Sequence, residues 1–249
     1  MTLLLLLMSA TTLPEMDARL FNEASAAYEQ GDFGLAVEKY TQLQTARYGR
    51  SPALLYNLGN AWLRQGAPGR AILHYEAALM LDPNFEWARR NLEEALRVTE
   101  RYLPAPDPRL VDGRLLARYY PITPALSLIL VHALVGATVL LLALRHFLAG
   151  ARLRWLSRLT PVAALVLYAL TVAANGMQAD APQPAVTLVS EAPVYFSMRE
   201  SEQPRFLLYE GDRVLIDRVE GDWLRVTAHG GERGWTRKDN LGLVRYVIM

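Results

Sequence analysis

The chain has 249 residues, 52% of them hydrophobic, with a formal net charge of +1 and no cysteine. That length accommodates one large domain or two or three small ones. The missing thiols exclude disulfides, thiolate metal sites and a cysteine nucleophile. Charge is close to balanced along most of the chain, but segment 145–158 holds Arg145, Arg152, Arg154 and Arg158 without a single acid. The first residues, "MTLLLLLMSATTLPEMD", carry an apolar run from Leu3 to Met8 followed by the small Ser9 and Ala10. Residues 1–12 therefore read as a stunted signal peptide or a truncated N-terminus, with cleavage expected near Ala10 and no basic segment ahead of the apolar run.

Tyr56 to Pro83, "YNLGNAWLRQGAPGRAILHYEAALMLDP", places small or apolar residues at Leu58, Gly59, Trp62, Ala71, Tyr75, Ala78 and Pro83. This is the tetratricopeptide pattern of two antiparallel helices, with small residues where the helices cross closely. Gly66 ends the first helix and Asp82-Pro83 the second. One period upstream, "LFNEASAAYEQGDFGLAVEKY" sets Gly31, Ala36 and Tyr40 against Gly66, Ala71 and Tyr75. Downstream, Asn91-Leu92 repeats Asn57-Leu58, so Asn84–Arg101 reads as a capping helix. Two repeats and a cap are expected over residues 15–101, because a repeat needs neighbours to bury its open face. The groove of such a solenoid is lined by the first helix of each pair. The candidate partner-binding residues are Asn22, Ser25, Asn57, Asn60, Arg64 and Asn91, which would hold a peptide backbone; the same residues could instead be solvated or bond between repeats. His74 reads as a packed or surface helix residue.

Pro104, Pro106 and Pro108 forbid a continuing helix, so 102–120 is a Pro-rich linker. No charge follows from Tyr119 to Leu144. Two transmembrane helices are expected, at 121–145 and 159–178, each long enough for a hydrocarbon core of about 30 Å. His132 lies inside the first, where a helix–helix hydrogen bond is its expected role. The basic loop 146–158, with Phe147 and Trp155 as interfacial anchors, is cytoplasmic by the positive-inside rule. The repeats and the C-terminal segment then both face the periplasm, a two-pass arrangement in the inner membrane.

Residues 185–249 read as short strands broken by "EGD", "EGD" and "HGGERG", a small all-β barrel. The order Glu210-Gly211-Asp212, Gly221-Asp222-Trp223, Gly234-Trp235 resembles the bacterial SH3 family. Tyr195, Trp223 and Trp235 would form its ligand face; they could equally be rim or core residues that only stabilise a small barrel. The expected fold class is thus a multidomain membrane protein: an all-α tetratricopeptide solenoid, a two-helix transmembrane hairpin and a small all-β SH3-like barrel.

The whole order, carried by residues 55–83, "ARRNLEEAL" (88–96), the paired spans and "EGDWLRV" (220–226), resembles the BatE-type proteins of the Bacteroides aerotolerance operons. The resemblance implies membrane proteins with von Willebrand factor A domains as partners, together with a BatD-type protein and, indirectly, a cytoplasmic MoxR-type AAA+ ATPase. It implies a scaffold in a stress or aerotolerance complex, with no catalytic residues to carry over. The alternative is a peptidoglycan-binding or envelope-sensing protein acting through the SH3-like domain. An enzyme is not expected: there is no Gly-x-Ser-x-Gly, and His74, His132, His146 and His229 fall in separate segments. No cofactor, metal or nucleic acid is expected.

Overall fold

The computed structural model describes residues 15–45, 50–107, 124–147, 151–179, 182–200 and 203–247. The N-terminal segment 1–12 and residues 108–120 of the linker lie outside the described residues. The described residues form two bodies. One joins the N-terminal helices to the C-terminal strands, and the other is the pair of apolar helices between them.

Five helices open the first body: α1 (Glu15–Glu29), α2 (Phe33–Leu43), α3 (Pro52–Arg64), α4 (Pro68–Leu81) and α5 (Glu86–Arg97). Their ends follow from local chemistry. Gly31 and Gly66, at φ 83° and 87°, take the left-handed conformation that closes α1 and α3. The carboxylate of Asp32 accepts from Leu35 N at 3.0 Å and the hydroxyl of Ser51 from Leu54 N at 3.3 Å, capping α2 and α3. Pro52 and Pro68 begin α3 and α4, where a missing N–H costs nothing. Gly59 is needed for contact: a Cβ there would lie 2.6 Å from the Tyr75 ring. Two clusters of buried side chains result. Phe21, Ala36, Tyr40, Leu54 and Leu58 fill the first repeat, and Tyr56, Ala71, Tyr75, Ala88 and Leu92 the second.

The C-terminal part is β1 (Gln183–Thr187), β2 (Glu191–Val194), β3 (Phe206–Tyr209), β4 (Arg213–Glu220), β5 (Trp223–Thr227), β6 (Arg233–Arg237) and β7 (Leu241–Leu243), then the helical turn α8 (Val244–Val247). An antiparallel five-stranded sheet runs β6-β5-β4-β1-β7, with β2-β3 as a separate pair. A bridge from Tyr195 to Trp235 joins the two. Gly211, Gly221 and Gly231, all at positive φ, make the turns read from "EGD", "EGD" and "HGG". Strand β1 begins two residues ahead of the expected boundary at 185.

The expectation of two separate soluble modules is not what the first body shows. Val186 and Val244, from the strand part, are buried in the same cluster as Ile72, Leu73 and Ala77 of α4. Backbones touch along this seam. A Cβ on Gly69 would sit 2.7 Å from Thr187 O, and one on Gly242 2.5 Å from a Leu73 methyl. Gly69 N donates to Glu210 Oε1 at 2.9 Å, Arg213 pairs with Glu76 at 2.9 Å, and Gln44 donates to Val247 O at 2.7 Å. The start of the Pro-rich linker belongs to the seam: Arg213 donates to Leu103 O at 2.9 Å and Pro106 is buried. Arg101, just after α5, pairs with Asp212 and stacks over Tyr209 at 4.4 Å.

The second body is α6 (Pro124–Phe147) and α7 (Ala151–Ala179), which contains Pro161. The segment read as a loop over 146–158 is largely helical, because Ala151–Arg158 holds no glycine or proline and its arginines are good helix formers. Within α7, Arg154–Val172 is 19 residues long and apolar enough to cross a membrane; the apolar stretch of α6 is the shorter Leu128–Leu144. The helices meet through residues three and four apart. Val131, Leu134, Thr138 and Leu141 of α6 are half-buried, and Ser157, Ala164 and Thr171 of α7 are buried. Thr138 donates to Thr160 Oγ1 at 2.9 Å across the pair. His132 makes no such cross-helix bond: its Nδ1 donates to Leu128 O of its own helix at 2.7 Å.

Candidate functional site

The first helices of the repeats, α1, α3 and α5, carry the six candidate groove residues, and burial separates them into two groups. Ser25, Asn57, Asn60 and Asn91 are buried, while Asn22 and Arg64 are exposed. Three of the buried four join helices. Asn91 in α5 donates to Asn60 Oδ1 at 2.7 Å and to Tyr56 OH at 3.2 Å, and Tyr75 OH in α4 donates to the same Asn60 oxygen at 2.7 Å. One amide oxygen thereby ties three helices. In the first repeat, Ser25 bonds Phe21 O at 2.9 Å and Tyr40 OH at 3.0 Å. Asn57 differs: both of its side-chain polar atoms are buried without a hydrogen-bond partner among the described residues.

Burial also sets the protonation of this layer. Desolvation pushes the Tyr40 hydroxyl up to about 12 and raises that of Tyr75 well above its ordinary value, so both stay neutral donors. His74 is buried and pulled down to about 4 by desolvation, with Nδ1 donating to Arg70 O at 2.7 Å. It is a neutral packed residue.

What the first helices leave accessible is a different set. Arg64 stacks over the Phe33 ring at 4.9 Å. Tyr28 in α1 is half-buried, and desolvation raises its hydroxyl; Arg64 opposes that rise while Tyr56 and Glu94 add to it. Tyr28, Arg64 and Glu94, one from each first helix, therefore share one electrostatic neighbourhood. Tyr28 and Glu94 are not among the sequence candidates, and the repeat spacing gives them no common signal: Tyr28 matches Leu63, and Glu94 matches Asn60. On α5, Trp87 is exposed beneath the Arg90 guanidinium at 5.8 Å, and Val98 and Tyr102 beyond it are exposed as well.

On the strand part, Tyr195 is buried, and its backbone exchanges two 2.8 Å hydrogen bonds with Trp235. Its ring meets Trp223 edge-on at 6.0 Å. The three aromatics are thus brought together, with both tryptophans half-buried. Arginines cover them: Arg237 lies over Trp223 at 4.7 Å and Arg225 over Trp235 at 5.9 Å. Arg225 is fixed by two 2.8 Å bonds to Asp217, which raise its affinity for its proton. The most exposed aromatic here is Phe196, 75% accessible, with Arg205 above it at 5.4 Å. Strand alternation after the inward Tyr195 places Phe196 outside, a signal present in "VYF".

These surfaces offer stacking, cation–π and backbone hydrogen bonding, the chemistry of binding. Among the described residues no three His, Asp or Glu side chains gather as a metal site would require. Residues 21–84 match a family model described as a tetratricopeptide repeat. No curated protein matches the chain. The helical N-terminal region is therefore of the tetratricopeptide type, a module generally used for protein–protein interaction.

Proposed function

We propose that this chain is a non-enzymatic inner-membrane scaffold whose repeats and SH3-like part hold partner proteins on one side of the bilayer. The match of residues 21–84 to a tetratricopeptide repeat carries the reading, since such repeats present first-helix faces to protein ligands. The strand order, with β2-β3 bridged to the main sheet through Tyr195, supports an SH3-like barrel.

The seam between α4 and the strand part supports two membrane crossings. Residues before α6 and after α7 share one hydrophobic cluster, so they belong in one compartment. A chain that leaves a compartment and returns to it crosses a bilayer an even number of times. With α7 long and apolar enough to cross, α6 must cross too, its 24 residues spanning about 36 Å as a helix. The basic 145–158 segment then favours a cytoplasmic turn and a periplasmic body. The partners we propose are those of a BatE-like complex: von Willebrand factor A membrane proteins, a BatD-type protein and, indirectly, a MoxR-type AAA+ ATPase.

Because the chain lacks cysteine, single substitutions Leu35→Cys, Trp155→Cys and Phe196→Cys allow labelling by an impermeant maleimide in intact cells. Labelling at 35 and 196, with protection of 155 until the membrane is opened, is the expected result. The reverse pattern would move both interaction surfaces to the cytoplasm, where the ATPase rather than the adhesion-type domains is within reach. Opposite behaviour of 35 and 196 would end the two-crossing reading.

A further inference from the structure

The polar content of the hairpin is divided unequally. Thr138 and Thr160 bond each other inside the pair, and Ser157 and Thr171 donate to their own helix backbone at 3.0 and 2.8 Å. His132 also bonds its own helix backbone, but it lies outside the pair. It is exposed on α6, away from the residues that meet α7. Its Nδ1 proton is committed to Leu128 O, which leaves Nε2 as a lone-pair acceptor with no partner among the described residues. His132, Gly136, Val139 and Ala143 fall at i, i+4, i+7 and i+11, one face of the helix, and all are exposed. Gly136 adds no side chain to that face, and the space a Cβ would take there is open. Around that face α6 and α7 alike expose apolar side chains suited to lipid tails, among them Ile129, Leu140, Val162 and Leu165.

We infer that the His132–Gly136–Val139–Ala143 face of α6 docks a transmembrane helix of another protein that presents a hydroxyl or amide N–H to His132 Nε2. The inference rests on the membrane reading above. A histidine in a span faces protein or water rather than lipid, and a small residue lets a second backbone come close. The partner must be a donor because the proton of the ring is already used. A second copy of this chain meets that need poorly, since its own face would bring only another acceptor and no donor. The hairpin is in this sense a recognition element as well as an anchor: one face of α6 turns to a partner, the remaining surface to lipid.

The test uses the full chain in its native membranes, with the photocrosslinking residue p-benzoylphenylalanine at Val139 or, as control, at Leu165. The expected result is a discrete adduct from 139 and none from 165. It weakens roughly three- to tenfold with His132→Leu, as loss of one interhelical hydrogen bond predicts. It survives in His132→Gln, which keeps a side-chain acceptor, and is lost in Gly136→Leu, which holds a second backbone away. An adduct of twice the chain's mass would replace the donor helix by a second copy and overturn the proposal, as would an adduct indifferent to His132→Leu. A chain that resists alkaline carbonate extraction yet gives equal lipid labelling at both positions sinks this inference alone. A chain that carbonate releases sinks it together with the membrane reading.

Discussion

In the first repeat Tyr40 of α2 reaches Ser25 of α1; in the second, Tyr75 of α4 reaches Asn60 of α3, fifteen residues apart in each case. The plan is shared, yet the neighbours differ. Asn60 also receives Asn91 from α5, and α4 has the strand part packed along it through Leu73, Val186 and Val244. The first repeat has only α3 beside it within its own cluster. Identical hairpins are thus held to different extents by what covers them, as in any solenoid whose stability is a sum of repeat and interface terms. The second repeat is the fixed element of the body and the first the one that opens at lower cost.

The largest expected effect breaks the seam. Val186 is fully buried against α4, so Val186→Asp places an unpaired carboxylate in an apolar cluster and should cost about 4 kcal/mol or more. Limited proteolysis of the full chain should then cut within 52–97, the repeat that is otherwise the more resistant. Cleavage confined to 15–45 would mean that the strand part contributes nothing to the second repeat. Next in size is a pH effect. His74 is held neutral by burial, at about 4 against an ordinary 6.5. The unfolded chain therefore binds the proton more tightly, and stability rises with pH between those values. As pH falls from about 6.5 to 4 the second repeat should lose roughly 3 kcal/mol, and below that window the loss is complete. Hydrogen exchange of α4 amides across this range measures it, and His74→Gln should flatten the curve.

Smaller, and aimed directly at the comparison, are the two tyrosines. Tyr75→Phe leaves a buried Asn60 oxygen with one donor fewer, at about 1–2 kcal/mol; Tyr40→Phe frees a serine that still donates to Phe21 O, at about 0.5–1 kcal/mol. Chemical denaturation of the two variants side by side should rank them in that order. Equal losses would remove the distinction between the repeats.

The repeats were legible because their signal is local: Gly31 and Gly66 recur with Ala36 and Ala71 at one spacing, and each does its work within a hairpin. The groove was not legible in the same way. An asparagine on a first helix reads alike whether it faces a ligand or a neighbouring tyrosine, and only the placement of Tyr56, Tyr75 and Asn91 around Asn60 decides that. The seam was invisible for another reason. Gly211 reads as a turn glycine and nothing local marks Gly69, and their partners Thr99 and Thr187 lie more than 100 residues away in the chain. The apolar helices were legible from composition, but the face of α6 that carries His132 emerges only once α7 is seen to pack elsewhere.

An effect of similar size and opposite sign concerns Asn57. By the repeat spacing Asn57 stands in α3 where Asn91 stands in α5, and the partners of Asn91, Tyr56 and Asn60, correspond to Phe21 and Ser25 one repeat earlier. Where the second repeat offers a phenol hydroxyl, the first offers a bare ring, and its serine is already bonded to Tyr40. The unpartnered amide of Asn57 is then the mark left by a missing hydroxyl. Phe21→Tyr should supply it and raise stability by about 1 kcal/mol, read as a higher denaturation midpoint at unchanged slope. Asn57→Leu, which removes the amide in place of satisfying it, should cost little for a buried polar residue, because no hydrogen bond is lost. A destabilised Phe21→Tyr together with a strongly destabilised Asn57→Leu would mean that the amide has a partner the repeat equivalence does not name, and the two repeats would then be held alike.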